Sequence, residues 1–174
     1  SGEKSDYEKF ITSLVIHDPK PFDKINQADT NTLISASVWR ALMAERIREF
    51  DNEGLGILKL ETVLNAYQEL FGKSSNLEIK ENIDNPIFLF NADEKMFHIK
   101  PYSTQNCFIP IVEDVVENND LLVLKVGYIS PSDPWRSLND SRPNAPNPTK
   151  RMYYKLKKNI IEGKAYIVSL SENI

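Results

Sequence analysis

TNTLISASVWRALMAERIR, residues 30–48, decides how the rest of this chain has to be arranged. Between positions 33 and 44 nearly every residue is apolar or small, so little room is left for a polar face. A helix that is apolar nearly all round is buried in its protein. Asp29 and Thr30 supply N-cap side chains, and the charges of residues 45–49 mark the return to solvent. We therefore predict a buried central helix over residues 30–48.

One amphipathic helix is predicted before the central helix and another after it. Residues 5–16 carry apolar side chains at helical spacing, and the prolines of residues 18–21 end that helix. Residues 61–71 show the same spacing, with Gly72 at the position that commonly ends a helix. Between the central helix and the third helix, residues 57–60 are expected to form a short strand or simply to lead into the third helix.

After Gly72 the apolar side chains alternate with a period of two, which is typical of half-buried strands. Short polar segments separate the alternating runs, as they do in hairpins. The predicted hairpins pair residues 87–90 with 96–99, 109–116 with 121–129, and 152–156 with 165–170. Consecutive hairpins most simply form a meander.

These elements predict an α+β fold, with three N-terminal helices packed on one face of an antiparallel sheet built from three consecutive hairpins. The outline is similar to cystatin-like and nuclear-transport-factor-like folds, an analogy that assigns no function. The length fits a single globular domain over residues 1–174. Residues 1–4 are expected to be a tether or a cloning remnant, 5–72 a helical half, and 73–174 a β half with a proline-rich loop at 130–149.

The composition argues against several functional classes. A formal net charge of −4 and a sequence pI of about 5.3 argue against binding of nucleic acid. A single cysteine, Cys107, excludes an intrachain disulfide and a cysteine-based metal site. Every apolar run is too short to span a bilayer. The charge is uneven, because residues 150–174 are rich in lysine whereas the rest of the chain is acidic.

The sequence offers no catalytic constellation. His17 and His98 lack the spacing of metal ligands and have no evident partner nearby. Cys107 has neither a second cysteine nor a basic activator in its neighbourhood. Ser35 and Ser37 lie within the central helix, without the Gly-x-Ser-x-Gly setting of a nucleophile. We therefore predict that the protein is not an enzyme and that it has no catalytic residue, no metal and no cofactor.

A basic strip is the first candidate interaction surface. Residues 151–157 alternate, so that one face of a strand carries Arg151, Tyr153, Lys155 and Lys157. Such a strip suits an anionic partner: a phosphate polymer, a lipid headgroup or an acidic protein patch. The ordinary interpretation is that lysines on a solvent face or an edge strand prevent association between sheets. Both interpretations fit the pattern.

The proline-rich loop is the second candidate. Its prolines exclude a helix or a central strand, and long loops of this kind are often functional. Trp135 and Arg136 lie near its start, and these residue types dominate the energies of binding interfaces. In the alternative interpretation, Trp135 folds back and closes an open end of the sheet.

Six short motifs recur along the chain order of a known group of proteins: DPKPF (18–22), ASVW (36–39), LFG (70–72), FNAD (90–93), VGYI (126–129) and AYIVS (165–169). With these motifs the chain resembles a family of exported domains, often lipid-anchored, from Firmicutes of the clostridial type, whose function is unassigned. The resemblance runs thinly over most of the chain and carries no catalytic residue. It implies a location outside the cytoplasmic membrane and a non-catalytic role.

Together these observations lead to one functional hypothesis and one alternative. The hypothesis is a non-enzymatic, extracytoplasmic domain, tethered to the membrane through a lost N-terminal anchor, that binds an envelope protein or an anionic wall polymer. The start SGEKS fits such a tether and fits a cloning remnant equally well. The alternative is a small-molecule or enzymatic pocket between sheet and helices, marked by inward polar groups near Tyr67, Tyr102 or Tyr128.

Overall fold

The structure is a computed structural model that describes residues 2–133, 146–159 and 161–174. The chain divides into two compact units. The first unit combines Ser1–Asp29 with Thr104–Ile174, and the second is Thr30–Ser103. Both ends of the chain therefore belong to the same unit, and the units divide the chain at other positions than the predicted helical and β halves.

The described residues form three α-helices, one short 3-10 helix and nine strands. In chain order these are α1 (Gly2–Val15), the 3-10 helix (Ile25–Gln27), α2 (Thr30–Met43), β1 (Glu49–Phe50), β2 (Gly56–Lys59), α3 (Leu60–Phe71), β3 (Ile83–Asp84), β4 (Phe88–Asn91), β5 (Met96–Ile99), β6 (Ile109–Asn118), β7 (Leu121–Ile129), β8 (Lys150–Asn159) and β9 (Lys164–Ser171). Helices and antiparallel strands are both present, so the α+β class is confirmed.

The second unit packs α2 and α3 against a five-stranded antiparallel sheet with the strand order β1-β2-β5-β4-β3. A continuous apolar core joins these layers and includes Ile34, Val38 and Ala41 of α2, Val63 and Ala66 of α3, and Leu58, Phe88, Phe90 and Phe97 of the strands. The middle of α2 is buried, as its apolar sequence predicts. Gly72, at a φ of 91°, ends α3 at the predicted residue.

Helix α2 is shorter than the predicted span 30–48. It ends at Met43, and Glu45 then adopts a left-handed conformation with a φ of 56°. The Arg46 N–H donates to the carbonyl of Ala41, a pattern that closes helix C-termini. A glycine normally marks this geometry, and here a glutamate occupies the position. The sequence therefore carries no signal for the true end of the helix.

The first unit is a four-stranded antiparallel meander, β6-β7-β8-β9, with α1 packed along β6. The second and third hairpins predicted from the sequence lie in this unit, and the register of β6 with β7 and of β8 with β9 confirms them. Two side chains of α1 form hydrogen bonds with backbone groups of β6. The carboxylate of Glu8 accepts a hydrogen bond from the Val112 N–H at 2.8 Å, and Lys4 Nζ donates to the Glu113 carbonyl at 3.0 Å.

These edge contacts also explain why α1 begins earlier than predicted. Residues 2–4, which the sequence places before the first helix, form its first turn. Lys4 lies in that turn and reaches the backbone of β6. The turn is therefore stabilised by a tertiary contact, which the local sequence does not reveal.

The expectation of one sheet carrying all three helices has to be corrected, because the structure contains two sheets. The predicted first hairpin, β4 and β5, is enclosed in the five-stranded sheet. Strand β2 pairs with the free edge of β5, and β3 pairs with the free edge of β4. No edge of that hairpin remains for the later strands, which consequently pair only among themselves.

Candidate functional site

The basic strip lies on β8, an interior strand with β7 on one side and β9 on the other. Met152, Tyr154 and Leu156 are buried on what we call the inner face of the four-stranded sheet. Arg151, Lys155 and Lys157 are exposed on the opposite, outer face, with Tyr153 half-buried among them. The predicted alternation is therefore present in the structure. Because β8 is not at an edge, protection of a sheet edge does not explain its lysines.

The cross-strand register defines the surroundings of the strip. On β7, Lys125 lies beside Tyr153, Val123 beside Lys155 and Leu121 beside Lys157. On β9, the corresponding neighbours are Ser171, Ser169 and Tyr166. Directly opposed residues of antiparallel strands share one face of the sheet. The middle of the outer face is therefore basic, with hydroxyl-bearing side chains on the β9 side and one lysine and two apolar side chains on the β7 side.

Arg151 differs from the two lysines because its charge is already paired. Its Nε and Nη2 donate to the two carboxylate oxygens of Glu113 at 2.7 and 3.1 Å. This bidentate hydrogen bond raises the pKa of Arg151. Lys155 and Lys157, in contrast, have no ion-pair partner within the part of the chain that the structure describes. The strip thus has a neutralised end and an unpaired basic end.

Gly127 and a bulge in β6 lie next to the Arg151–Glu113 pair. Gly127 lies on β7 between the two partners, and the register of β6 shifts at Glu113. A Cβ atom on Gly127 would lie 2.3 Å from Cγ of Pro148 and 3.5 Å from Cδ of Glu113. The missing side chain therefore leaves room for Pro148 to cover this end of the outer face.

Pro148 belongs to the C-terminal end of the predicted proline-rich loop. The N–H of Thr149 donates to the carbonyl of Tyr128 at 3.0 Å, which fixes this end to β7. Trp135 and Arg136 lie outside the described residues, so their predicted role as a binding anchor or a core plug stays a prediction.

A second polar cluster lies in the other unit and was not expected from the sequence. Nδ1 of His98, on β5, is 2.9 Å from Oδ2 of Asp51, which lies in the turn between β1 and β2. The other oxygen of Asp51 accepts the N–H groups of Glu53 and Leu55, each at 2.9 Å. The hydrogen bond with His98, followed by that from Leu55, lowers the pKa of Asp51.

This cluster fixes an edge hairpin to the sheet. Nε2 of His98 is 3.7 Å from Oε1 of Glu94, so the imidazole lies between two carboxylates. The residues that the structure describes contain no group of three or more His, Cys, Asp or Glu side chains arranged to hold a metal ion. The residues Asp51-Asn52-Glu53-Gly54 are typical of a turn, but the local sequence does not show the contact of Asp51 with His98, 47 positions away.

The tyrosines named as possible markers of a pocket have partners within the protein. The hydroxyls of Tyr128 and Tyr154 are 2.5 Å apart on the inner face, and that of Tyr67 is 2.5 Å from Oγ of Ser75. The ring of Tyr102 packs edge-on against Trp39, with centroids 4.7 Å apart. These groups therefore stabilise the fold of their own units.

Comparison with known proteins adds no further constraint. No family model matches the chain, and neither the curated proteins nor the solved structures include a match. Among the described residues, no helix is long and apolar enough to cross a membrane.

Proposed function

We propose that this chain is a non-enzymatic binding domain that acts outside the cytoplasmic membrane, tethered to it, and contacts an envelope protein or an anionic wall polymer. The contact surface is the outer face of the four-stranded sheet. The observation that carries the proposal is the position of Lys155 and Lys157, which are exposed on an interior strand and have no ion-pair partner among the described residues.

Unpaired cations on a rigid strand support binding of an anionic partner. A partner that approaches β8 meets these charges without first displacing a carboxylate of this protein, whereas Arg151 is held by Glu113. Complementary charge raises the association rate and orients the partner. We therefore assign the main contribution to Lys155 and Lys157 and a smaller one to Arg151.

The location outside the membrane is supported by the motif resemblance described above. The pocket alternative finds less support, because the inward hydroxyls of Tyr67, Tyr128 and Tyr154 bond to groups of the same unit. The described depressions are open ones. One of about 420 Å³ in the first unit is lined by Lys150 and Asp18, whose side chains form an ion pair with each other.

A pull-down from an envelope extract of the source organism tests the proposal. The bait is the purified domain, and the matched variants are Lys155→Glu/Lys157→Glu and Lys9→Glu/Lys24→Glu. The second variant makes the same charge change at exposed lysines elsewhere in the first unit. We expect a specific partner that binds the native domain and the control, is lost from the first variant, and dissociates at high salt because exposed charge pairs are screened.

Equal recovery by both variants would remove the outer face from the proposal. The location is checked separately, by fractionating cells that express the native gene with a C-terminal epitope. Recovery of the tagged protein in the cytoplasmic fraction alone would overturn the extracytoplasmic assignment.

A further inference from the structure

The outer face offers a specific sequence of side chains along β8. Tyr153, Lys155 and Lys157 follow one another at every second residue, and Tyr166 of β9 lies beside Lys157. Residues two apart on a strand are separated by about 6.7 Å. A linear molecule lying along β8 therefore meets the Tyr153 ring, then Lys155, and then Lys157 with the Tyr166 ring beside it.

We propose that this row binds a linear acidic glycan, in which carboxylate or phosphate groups contact Lys155 and Lys157 while sugar rings pack on Tyr153 and Tyr166. This inference rests on the proposed function and identifies the partner class for the same surface. A phenol ring offers a flat apolar surface and a polar tip, which together suit the faces and hydroxyls of a sugar. The hydroxyls of Ser169 and Ser171, beside Lys155 and Tyr153, add donors and acceptors for the glycan hydroxyls.

A glycan fits the middle of this face better than a protein does. The cores of protein interfaces are depleted in lysine, serine and acidic residues and enriched in aromatic residues, methionine and arginine. Here the middle is occupied by Lys155 and Lys157, which are exposed. Their neighbours on β7, Val123 and Leu121, are only half-buried and less exposed than the lysines. Val116 on β6, which is 54% exposed, is the largest apolar exposure that β6 adds. Lysines therefore hold the middle of the face, with Tyr153 and Tyr166 near its two ends, and this arrangement favours a glycan over the desolvated core of a protein interface.

A glycan also fits better than a nucleic acid. Surfaces that bind nucleic acids are usually strongly basic over the whole domain. This chain has a net charge of −4, and β6 places Asp114 beside Lys125 and Glu113 against Arg151 on the same face. The basic side chains of this face are thus few, Lys125 of β7 with Lys155 and Lys157 of β8 and the paired Arg151, and they do not form the extended basic surface that nucleic-acid binding uses.

Fluorescence anisotropy with a labelled polygalacturonate decamer tests this inference. Its matched control is the same decamer with the carboxylates methyl-esterified, and two further probes are a glycerol-phosphate decamer and a thymidine decamer. We expect the native domain to bind polygalacturonate in preference to the ester and to the thymidine decamer. Lys155→Gln/Lys157→Gln should weaken that binding roughly tenfold, as two exposed charge pairs predict, and Lys9→Gln/Lys24→Gln should leave it unchanged.

The tyrosine contacts are tested with Tyr153→Leu, which keeps an apolar side chain but removes the flat ring. We expect it to weaken binding of polygalacturonate about threefold, a change typical of one aromatic contact, and to leave binding of the ring-free glycerol-phosphate decamer unaltered. Equal binding of the ester, tighter binding of the thymidine decamer, or insensitivity to both the lysine and the tyrosine changes would overturn the inference.

The outcome for the inference is separable from the outcome for the proposed function. Suppose that no decamer binds, yet the envelope pull-down still recovers a protein that Lys155→Glu/Lys157→Glu loses. The acidic glycan is then wrong and the binding surface stands. If the pull-down is also insensitive to this variant, both proposals fail.

Discussion

The four-stranded sheet has strands of 8 to 10 residues, whereas the strands of the five-stranded sheet have only 2 to 4. Long strands form continuous ladders of backbone hydrogen bonds. In the short-stranded sheet, side chains supply bonds where the ladders end. Oδ1 of Asn85 accepts the N–H groups of Ile87 and Phe88, each at 2.9 Å, and Oδ1 of Asn82 accepts that of Ala92 at 2.7 Å.

The difference shows two ways of specifying a sheet. Regular alternation over a long strand fixes which face is buried, so register follows from the hydrophobic pattern. Short strands carry too little pattern for that and depend on turns with Asn or Asp and on a few large core side chains. The second unit should therefore be sensitive to single changes in its aromatic core and turns, and the first to changes on its inner face but not its outer face.

The largest expected effect is the loss of an aromatic ring from the core of the second unit. Phe97 is fully buried, with ring centroids 4.5 Å from Phe90 and 5.0 Å from Phe88. Phe97→Ala should lower the free energy of unfolding by about 3–5 kcal/mol, measured by urea titration with circular dichroism. Leu89→Ala, on the opposite face of the same sheet, is the control and should cost no more than about 0.5 kcal/mol. Similar losses for both variants would contradict the assigned core.

The next effect concerns the buried hydroxyl pair of the first unit. Tyr154→Phe leaves the Tyr128 hydroxyl buried without its partner, which should cost about 1–3 kcal/mol of unfolding free energy. The double variant Tyr128→Phe/Tyr154→Phe removes both polar groups and should be more stable than the sum of the single variants predicts. If the changes in the free energy of unfolding were strictly additive in the urea titrations, the two hydroxyls would not be energetically coupled.

A smaller, pH-dependent effect is expected at the turn between β1 and β2. The pKa of Asp51 is lowered from its usual value of 3.8, so the folded state favours the carboxylate and gains stability from it above that pH. This gain is lost as the pH falls through the lowered pKa. Asp51→Asn should therefore have a lower urea midpoint than the native protein at about pH 6, and the difference should shrink below 3.8.

Asp93→Asn provides the matched control for this measurement, because it removes an exposed carboxylate from the neighbouring β4–β5 turn. A midpoint difference for Asp51→Asn that stayed constant down to the lowest pH would show that the charge of Asp51 does not stabilise the turn. In that case the hydrogen bond between Asp51 and His98 would not depend on the negative charge of Asp51.

The smallest effect is expected on the outer face. Lys155→Gln/Lys157→Gln should change the free energy of unfolding by less than about 0.5 kcal/mol, because neither lysine has a described ion-pair partner. The same urea titration measures it. This result would separate a loss of binding from a loss of folding, whereas a large destabilisation would assign the lysines a structural role.

The accuracy of prediction from sequence follows the length of the strands, because all three predicted hairpins, including β4 with β5 in the short-stranded sheet, are present. The hairpins of β6 to β9 were predictable because Met152, Tyr154 and Leu156 alternate with charged or exposed residues over a long strand. The two-residue strands β1 and β3 were not predictable, since such segments hold no period. The basic strip was predictable in full, but the pair of Arg151 with Glu113 joins residues 38 positions apart beside a bulge in β6, which the local sequence does not show.

The sequence by itself determined the α+β class, the buried middle of α2, the end of α3 at Gly72 and the basic side of β8. These features follow from local periodicity and backbone preferences, which act over a few residues. Tertiary structure alone decided that the strands form two sheets, that α2 ends at a left-handed Glu45, and that Asp51 meets His98. The two sheets and the Asp51–His98 contact depend on groups far apart in the chain, whose pairing leaves no sign in the local sequence. The end of α2 is closed by a local hydrogen bond, but a glutamate takes the left-handed conformation that glycine usually adopts, so the residue type does not signal it.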